Sequence, residues 1–440
     1  MLLRIIKNFY LTPGFNRFLA NTSWLMAEKI IRMGISLFVG VYVARYLGPE
    51  RFGLLSYAIS FVWLFSALAT LGLDGIVVRN LVQNIKDRDR LLGTAFALKL
   101  AGGIMLFGCV SFVMQFTSSD TDTKLLILII AGGMLLQSFQ VVDFYFQSQV
   151  LGRLSSIAGL CALLLSSLTR LFLIFSQASL IWFAIATVLE TGVLGLVLIF
   201  FYLKEKVQIS RWRFEWGMAG ALLRDSWTLI LSGFLIIIYM RIDQIMIKEI
   251  LGSAAVGTYA AAVRLSEAWY FIPMVVCTSI FPAILNAKKK DEKFYNDRLQ
   301  KLYNLMTWMG IAIALPTTFI SNWIITWLYG NAYAGAGSVL KIHIWAGVFV
   351  FLGVASSKYF LAENLQKFIM LFCLAGGISN VVLNALLLPR YGIVGAAWAT
   401  FISYAIANYF ILLFSSKSRK TFVRMTNSFN LFRLFATGTR

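Results

Sequence analysis

The sequence predicts an all-α polytopic membrane protein, with about twelve transmembrane helices of roughly 20 residues each, set out as two parallel six-helix repeats. Three observations carry that reading. The chain is 59% apolar and 13% charged, with a mean hydropathy of +0.79, where a water-soluble domain runs near half apolar and a quarter charged. The apolar residues form long runs without strand-like alternation, and in lipid such runs can satisfy their backbone only as helices. A polar hinge, Tyr46-Leu-Gly-Pro-Glu-Arg-Phe-Gly-Leu-Leu-Ser-Tyr57, also returns as Ile250-Leu-Gly-Ser-Ala-Ala-Val-Gly-Thr-Tyr-Ala-Ala261. Gly48 and Gly53 thereby match Gly252 and Gly257 at one common separation.

The register continues through Phe146 and Phe360, Arg153 and Lys367, and Ala186-Thr187 and Ala399-Thr400. The offset of these later pairs is slightly longer, so an insertion is expected, and the charged loop 286–301 can supply it. The apolar runs fall at 22–46, 52–72, 91–115, 124–147, 154–176, 179–203, 225–250, 254–285, 302–330, 338–361, 366–388 and 392–415. They divide the chain into a lead-in 1–21, a six-helix half 22–203, a linker 204–223, a second half 224–415 and a basic tail 416–440. An even number of crossings returns the chain to the same side, so the halves are parallel repeats, an arrangement suited to alternating access.

A net charge of +20 would fit a nucleic-acid binder, but the placement of the charge points to topology. With the N-terminus in the cytoplasm, the basic residues crowd the inner loops: Arg79 to Arg90, Lys204 to Arg224, Lys288 to Lys301, and the tail. The outer loops keep only Arg45, Arg51, Lys124, Lys248, Lys341 and Arg390. That is a positive-inside bias, with both termini cytoplasmic and anionic lipid as the partner of the excess charge. No nucleic-acid partner is expected. Charged residues inside the first apolar run also argue against a cleavable signal peptide.

In chain order, the lead-in is amphipathic and broken at Pro13-Gly14. The first span carries Glu28 and Arg32 at i and i+4 on one face, either as a self-satisfied pair at the inner headgroups or as the wall of a cavity. Asp74 and Arg79 end the second span near the interface. Lys99 lies roughly 12 Å into the third span, placed to snorkel or to face a vestibule. The fourth span ends in Asp143-Phe-Tyr-Phe-Gln-Ser-Gln149, where aromatic belts account for the rings. Arg170 sits near the outer end of the fifth span. Glu190 falls near the middle of the sixth, where a charge is costly.

The linker, with Trp212, Phe214 and Trp216, is expected to lie on the membrane surface. The seventh span carries Arg241-Ile-Asp243, and Arg241 lies roughly 16 Å deep, close to the bilayer centre. The eighth carries Arg264 and Glu267 at a similar depth, and this i, i+3 pair can neutralise itself. Pro273 and Pro282 interrupt that span. The loop 286–301 is expected to be solvated. Lys341 and His343 read as surface residues near the outer interface, and the tail, with Phe422, Phe429, Phe432 and Phe435, as adsorbed to anionic lipid.

Cys109, Cys161, Cys277 and Cys373 fall singly, and His343 is the sole histidine. No catalytic set, metal site or cofactor is expected. The midplane charges Arg241, Arg264, Glu190 and Glu267, with Arg32 and Lys99 towards the cytoplasm, instead describe a cationic cavity. Arginine binds phosphate through its planar fork, so the expected substrate is an anion such as phosphate.

Five stretches carry a family resemblance: Ala44-Arg-Tyr-Leu-Gly-Pro-Glu-Arg-Phe-Gly53, Leu71-Gly-Leu-Asp-Gly75, Arg241-Ile-Asp243 before Leu251-Gly252, Ala261-Ala-Val-Arg-Leu-Ser-Glu267 before Pro273, and Leu388-Pro-Arg-Tyr-Gly-Ile-Val-Gly-Ala-Ala397. Together they resemble the bacterial oligosaccharide-lipid flippases, which serve O-antigen and other polysaccharide repeat units. These belong to the MATE-like multidrug/oligosaccharidyl-lipid/polysaccharide (MOP) exporter superfamily. The likeness runs over nearly the whole chain in the expected order. Relatives often carry a tryptophan beside the acidic residue of the fourth span, where this chain has Phe144 and Tyr145.

The resemblance implies translocation of an undecaprenyl-pyrophosphate-linked oligosaccharide from the cytoplasmic to the periplasmic leaflet of the bacterial inner membrane. It also implies possible partnership with a polysaccharide polymerase and chain-length proteins. Arg241 and Arg264 would attract the pyrophosphate, with Arg32 and Lys99 drawing it from the inner side. Glu190, Glu267 or Asp243 would serve a coupling H+ or Na+, because a low-dielectric site disfavours the charged acid. The rival readings are a lipid II flippase, expected to carry helices beyond twelve, and an ion-coupled drug or cation antiporter, expected to have a less cationic cavity. A membrane enzyme would need larger outer loops.

Overall fold

The computed structural model describes residues 13–117, 120–363, 365 and 367–430. Most of the expected lead-in, at 1–12, and the end of the expected tail, at 431–440 with Phe432 and Phe435, lie outside the described residues. The described chain is helical and contains no strand. Its helices are α1 (Pro13–Leu64), α2 (Ser66–Thr70), α3 (Asp74–Gln83), α4 (Arg88–Val113), α5 (Thr121–Gly133), α6 (Val141–Ser148), α7 (Gly152–Phe175) and α8 (Leu180–Lys204). There follow α9 (Trp216–Leu251), α10 (Ser253–Glu267), α11 (Phe271–Lys290), α12 (Glu292–Tyr329), α13 (Ala336–Ala362), α14 (Lys367–Asn408) and α15 (Ser416–Ser428). Ten helical stretches among the described residues are long and apolar enough to cross a membrane. The chain is a multi-pass membrane protein.

Two of those stretches are broken by glycine. Gly48 interrupts α1 at φ 69°, ψ 171°, and Gly392 interrupts α14 at φ 58°, ψ −146°. At Gly48 the cause is local. Pro49 disfavours helical backbone in the residue before it, while its own fixed φ suits the first turn of a new helix. Gly252, between α9 and α10, takes nearly the same conformation at φ 86°, ψ 179° without a proline. The hinge repeat seen in the sequence is therefore a repeat of backbone conformation.

The chain divides into two compact units, 1–43 with 61–234, and 44–60 with 235–440. In the first unit Phe146, Tyr202, Leu73, Leu92 and Val141 form a buried core. The linker joins it: Trp212 donates to the Tyr202 hydroxyl at 3.1 Å and packs on Phe96, and the Arg213 amide donates to the Asp89 carbonyl. Expected on the membrane surface, the linker thus turns one tryptophan inward and leaves Trp216 exposed.

In the second unit Tyr303, Phe351, Phe360, Met306 and Leu412 lie at the centre. The segment 44–60, which falls inside the expected N-terminal half, packs here because two glycines permit it. A Cβ on Gly53 would collide with the Ser253 carbonyl oxygen, and one on Gly257 with the Pro49 carbonyl oxygen. The two backbones therefore cross with nothing between them. Tyr57 donates to Glu249 at 3.3 Å, Ser60 to Gln244 at 2.9 Å, and Tyr333 to the Ala44 carbonyl at 2.6 Å. Burial pushes the Tyr333 phenol above its ordinary pKa, which keeps it a donor.

Three expectations change. The stretch 286–301 is not a solvated loop: α11 runs to Lys290 and α12 starts at Glu292, with the Asp291 side chain accepting from the Phe294 amide at 3.0 Å as N-cap. Its charges decorate helix ends rather than a loop. The tail forms α15, whose buried Met425 and Ser428 dock on α12. There Thr307 and Ser428 share a hydrogen bond of 2.6 Å, and Trp308 donates to the Ser428 carbonyl at 3.0 Å. His343 is buried, not superficial, because the Ser266 hydroxyl supplies a partner at 2.9 Å and the Tyr259 ring packs on it.

Candidate functional site

Each unit holds its own charged cluster inside otherwise apolar helices. In the second unit, α9 presents Arg241 and Asp243, and α10 presents Arg264 and Glu267. Arg241 Nη2 lies 3.4 Å from Glu267 Oε2. Glu267 thus has a partner on the neighbouring helix, and the Arg264 guanidinium lies 5.0 Å over the Phe52 ring in an exposed residue.

Asp243 is 4% exposed and is saturated with donors. Its Oδ2 accepts from the Tyr259 hydroxyl at 2.7 Å and from Thr400 Oγ1 at 2.6 Å, and its Oδ1 from Asn384 Nδ2 at 3.2 Å. Asn384 Nδ2 also donates to Asn380 Oδ1 at 2.9 Å. Asn384 Oδ1 and Asn380 Nδ2 remain buried without a partner. This is a compact set of oxygens and amides around one carboxylate. It suits a proton or a small hard cation, because carboxylate, hydroxyl and amide oxygens are the ligands such an ion takes. Among the described residues no three His, Cys, Asp or Glu groups come together as a metal site.

In the first unit Arg32 is a hub. Its Nε lies 2.6 Å from Glu28 Oε1, its Nη1 3.0 Å from Glu190 Oε1, and its Nη2 donates to the Gly159 carbonyl at 3.0 Å. Glu190 accepts in turn from Arg170 at 3.3 Å and Ser166 at 3.1 Å. Charges thus alternate along Glu28, Arg32, Glu190 and Arg170. Gly159 lets α7 approach: a Cβ there would lie 3.0 Å from Arg32 Nη2 and 3.1 Å from Glu28 Oε1. Lys99 is buried, 3.7 Å from Asp74 and 5.0 Å from the Phe144 ring.

The structure therefore brings Arg32 together with Glu190, and groups Arg241 with Glu267. Lys99 keeps separate partners. Tyr259, Thr400, Asn380 and Asn384 were not anticipated. A signal for the asparagines existed: two amides one helical turn apart in an apolar run are costly in lipid unless they serve each other or a third group.

A sequence profile of the polysaccharide biosynthesis protein family matches residues 18–288, more than half of the chain. The chain belongs to that family. Polysaccharide biosynthesis proteins similar to it include AglR of Haloferax volcanii, named a probable flippase, 23% identical over 85% of this chain and 78% of its own. A candidate O-antigen transporter of Shigella flexneri is 20% identical over 81% and 87%. Among solved structures, an inward-facing MATE multidrug resistance transporter of the MOP superfamily matches with a TM-score of 0.74 at 12% identity, covering 95% of this family member and 100% of that chain. The lipid II flippase MurJ matches with a TM-score of 0.71 at 16% identity, over 96% and 93%. The fold is that of MOP transporters, and the relatives are named for transport rather than for catalysis.

Proposed function

We propose that the chain flips undecaprenyl-pyrophosphate-linked oligosaccharide repeat units from the cytoplasmic to the periplasmic leaflet of a bacterial inner membrane, by alternating access. The observation that carries this is the pair Arg241 and Arg264 on adjacent helices of a polysaccharide biosynthesis protein. Pyrophosphate is the part of the substrate that cannot enter hydrocarbon, and guanidinium groups are its natural partners. The polyprenyl tail can stay in lipid throughout. Of the two cations expected to draw the pyrophosphate from the cytoplasmic side, Arg32 is already held by Glu28 and Glu190, which leaves that role to Lys99. In this reading Gly48 and Gly392 each separate two crossings, so that twelve spans leave both termini in the cytoplasm. The moving parts are the halves 22–203 and 224–415 with 44–60 transferred to the second and the linker 204–223 carried by the first, and a polymerase with its chain-length protein takes the product.

Coupling to H+ or Na+ is assigned to Asp243 ahead of Glu190 and Glu267. Each glutamate faces an arginine that fixes it as a counter-ion, whereas Asp243 is held by neutral donors only and can exchange them for an ion. The test is surface polysaccharide export in a deletion strain complemented with the intact gene, with Arg241→Ala and with Arg264→Ala. Export restored by the intact gene and abolished by either variant, at normal protein abundance, is expected. Unchanged export in both variants refutes the arginine assignment. Rescue of a lipid II flippase deletion, or drug sensitivity in place of polymer loss, moves the substrate to the rival readings.

A further inference from the structure

The first unit contains a polar cleft that the charged ladder does not explain. Its walls include Glu28, Arg32, Gln140, Asp143, Ser155 and Ser156, with Leu194 and Leu198 as an apolar side, and its volume is about 180 Å³. Glu28 and Arg32 neutralise each other at 2.6 Å. Asp143 Oδ2 accepts from Gln147 at 2.7 Å, but Asp143 Oδ1, Ser155 Oγ and Ser156 Oγ are buried and have no partner. Buried polar atoms in native proteins are almost always satisfied. Three on one cleft wall call for a ligand that both donates and accepts hydrogen bonds.

Size and charge narrow the class. A cleft of about 180 Å³ is far roomier than the oxygen cage of a bare cation, with ligands at roughly 2.3–2.6 Å, would leave. With the Glu28–Arg32 pair cancelled, Asp143 leaves the wall negative and repels phosphate. Hydroxyl groups fit: they donate to the carboxylate, exchange donor and acceptor roles with the two serines, and meet both ends of the Gln140 amide. Leu194 and Leu198 supply the apolar wall against which the C–H face of a pyranose can rest.

We infer that this cleft is a subsite for one sugar ring of the lipid-linked glycan, with Asp143, Ser155 and Ser156 reading its hydroxyls. The inference rests on the flippase reading and adds to it a place where the glycan itself, not the pyrophosphate, is recognised. The inner end of the fourth span thereby has a role that aromatic belts do not supply.

The test uses the full-length chain in lipid nanodiscs and two probes: undecaprenyl pyrophosphate, and the undecaprenyl-pyrophosphate-linked repeat unit extracted from the host. The intact chain should bind the glycosylated lipid more tightly. Asp143→Asn should cut that preference by about ten-fold, the scale of one charged hydrogen bond, and Ser156→Ala by a few-fold, with affinity for the bare lipid unchanged. Thermal unfolding checks that each variant folds, and Ser156→Ala carries the test if Asp143→Asn does not. Equal binding of the two lipids by the intact chain, or a preference untouched in both variants, overturns the subsite while leaving the flippase reading in place. Stabilisation by Na+ over choline that disappears in Asp143→Asn, with glycan preference intact, makes the cleft a cation site instead. Binding of neither lipid by the intact chain removes the flippase reading and the subsite with it.

Discussion

Gly257→Ala tests the crossing of the repeated hinges. The added methyl would overlap the Pro49 carbonyl oxygen and lie 2.8 Å from the Pro49 carbonyl carbon, where ordinary contact begins at 3.4 Å. These are backbone atoms and cannot rotate aside, so the segment 44–60 must move off α10. Overpacking of this kind costs about 1–3 kcal/mol, and the shift also strains the bonds Tyr57–Glu249, Ser60–Gln244 and Tyr333–Ala44. If the segment opens and closes during transport, that cost shifts its equilibrium about 5- to 150-fold towards the open state. The assay is maleimide labelling of Ala58→Cys, a position that is 0% exposed, in a chain whose four native cysteines have been replaced. Gly257→Ala should accelerate labelling by that factor. Gly53→Ala should do the same, since its methyl meets Ser253 at the same crossing, and the double variant should add little to either single one. Labelling rates unchanged by both substitutions, with unfolding midpoints also unchanged, would refute the tight crossing.

Two further predictions concern the charged clusters. Asp243→Ala removes the acceptor shared by the Tyr259 hydroxyl, the Thr400 hydroxyl and the Asn384 amide, which keep only their bonds to Thr400, Ala396 and Asn380, at a total cost of about 1–3 kcal/mol. It should lower the unfolding midpoint, whereas Asp243→Asn should fold normally and lose the ion dependence of transport, measured as polysaccharide export at varied Na+ and pH. Arg32→Ala leaves Glu28 and Glu190 facing each other without their shared cation. With its side chain one-third exposed, the cost is about 1–3 kcal/mol, read as a lower unfolding midpoint. Arg32→Lys should recover little of it, because one ammonium cannot span the three acceptors that the guanidinium fork reaches.

The spans were legible because lipid imposes one rule, long apolar helix, that composition alone reveals. The hinges were legible because Gly-Pro and its echo mark places where helix cannot continue. What stayed hidden depends on which residues far apart in sequence face each other. Nothing near Glu267 in the sequence indicates that it reaches Arg241 on the neighbouring helix, or that Asp243 on α9 gathers Tyr259 and Thr400 from two other helices. The stretch 286–301 misled because its charges resemble a solvated loop, whereas helices that extend past the bilayer carry the same charges on their ends. His343 misled similarly: a histidine near a span end reads as superficial until a buried partner, Ser266, is found.

The repeat is mechanical and the chemistry is not repeated. Counted with the offset that places Gly48 on Gly252, the positions of Arg241, Asp243, Arg264 and Glu267 fall on Leu37, Val39, Ser60 and Trp63. No charge of the second cluster has a counterpart in the first half. Of the glycines that match, Gly53 and Gly257 let the backbones cross, and Gly48 and Gly252 share a conformation that side chains would strain. A duplicated unit must keep such geometry in both copies, since each hinge is half of one contact. Its charged groups need no such match: under the proposed function the substrate headgroup, with pyrophosphate at one end and sugar at the other, has no symmetry for them to follow. The first unit accordingly carries a hydroxyl-lined cleft beside a neutralised arginine, and the second an exposed arginine beside a buried carboxylate. Exchanging the Gly48-Pro49 hinge for the Gly252-Ser253 one should therefore be tolerated far better than exchanging Arg241 for the leucine of its counterpart position.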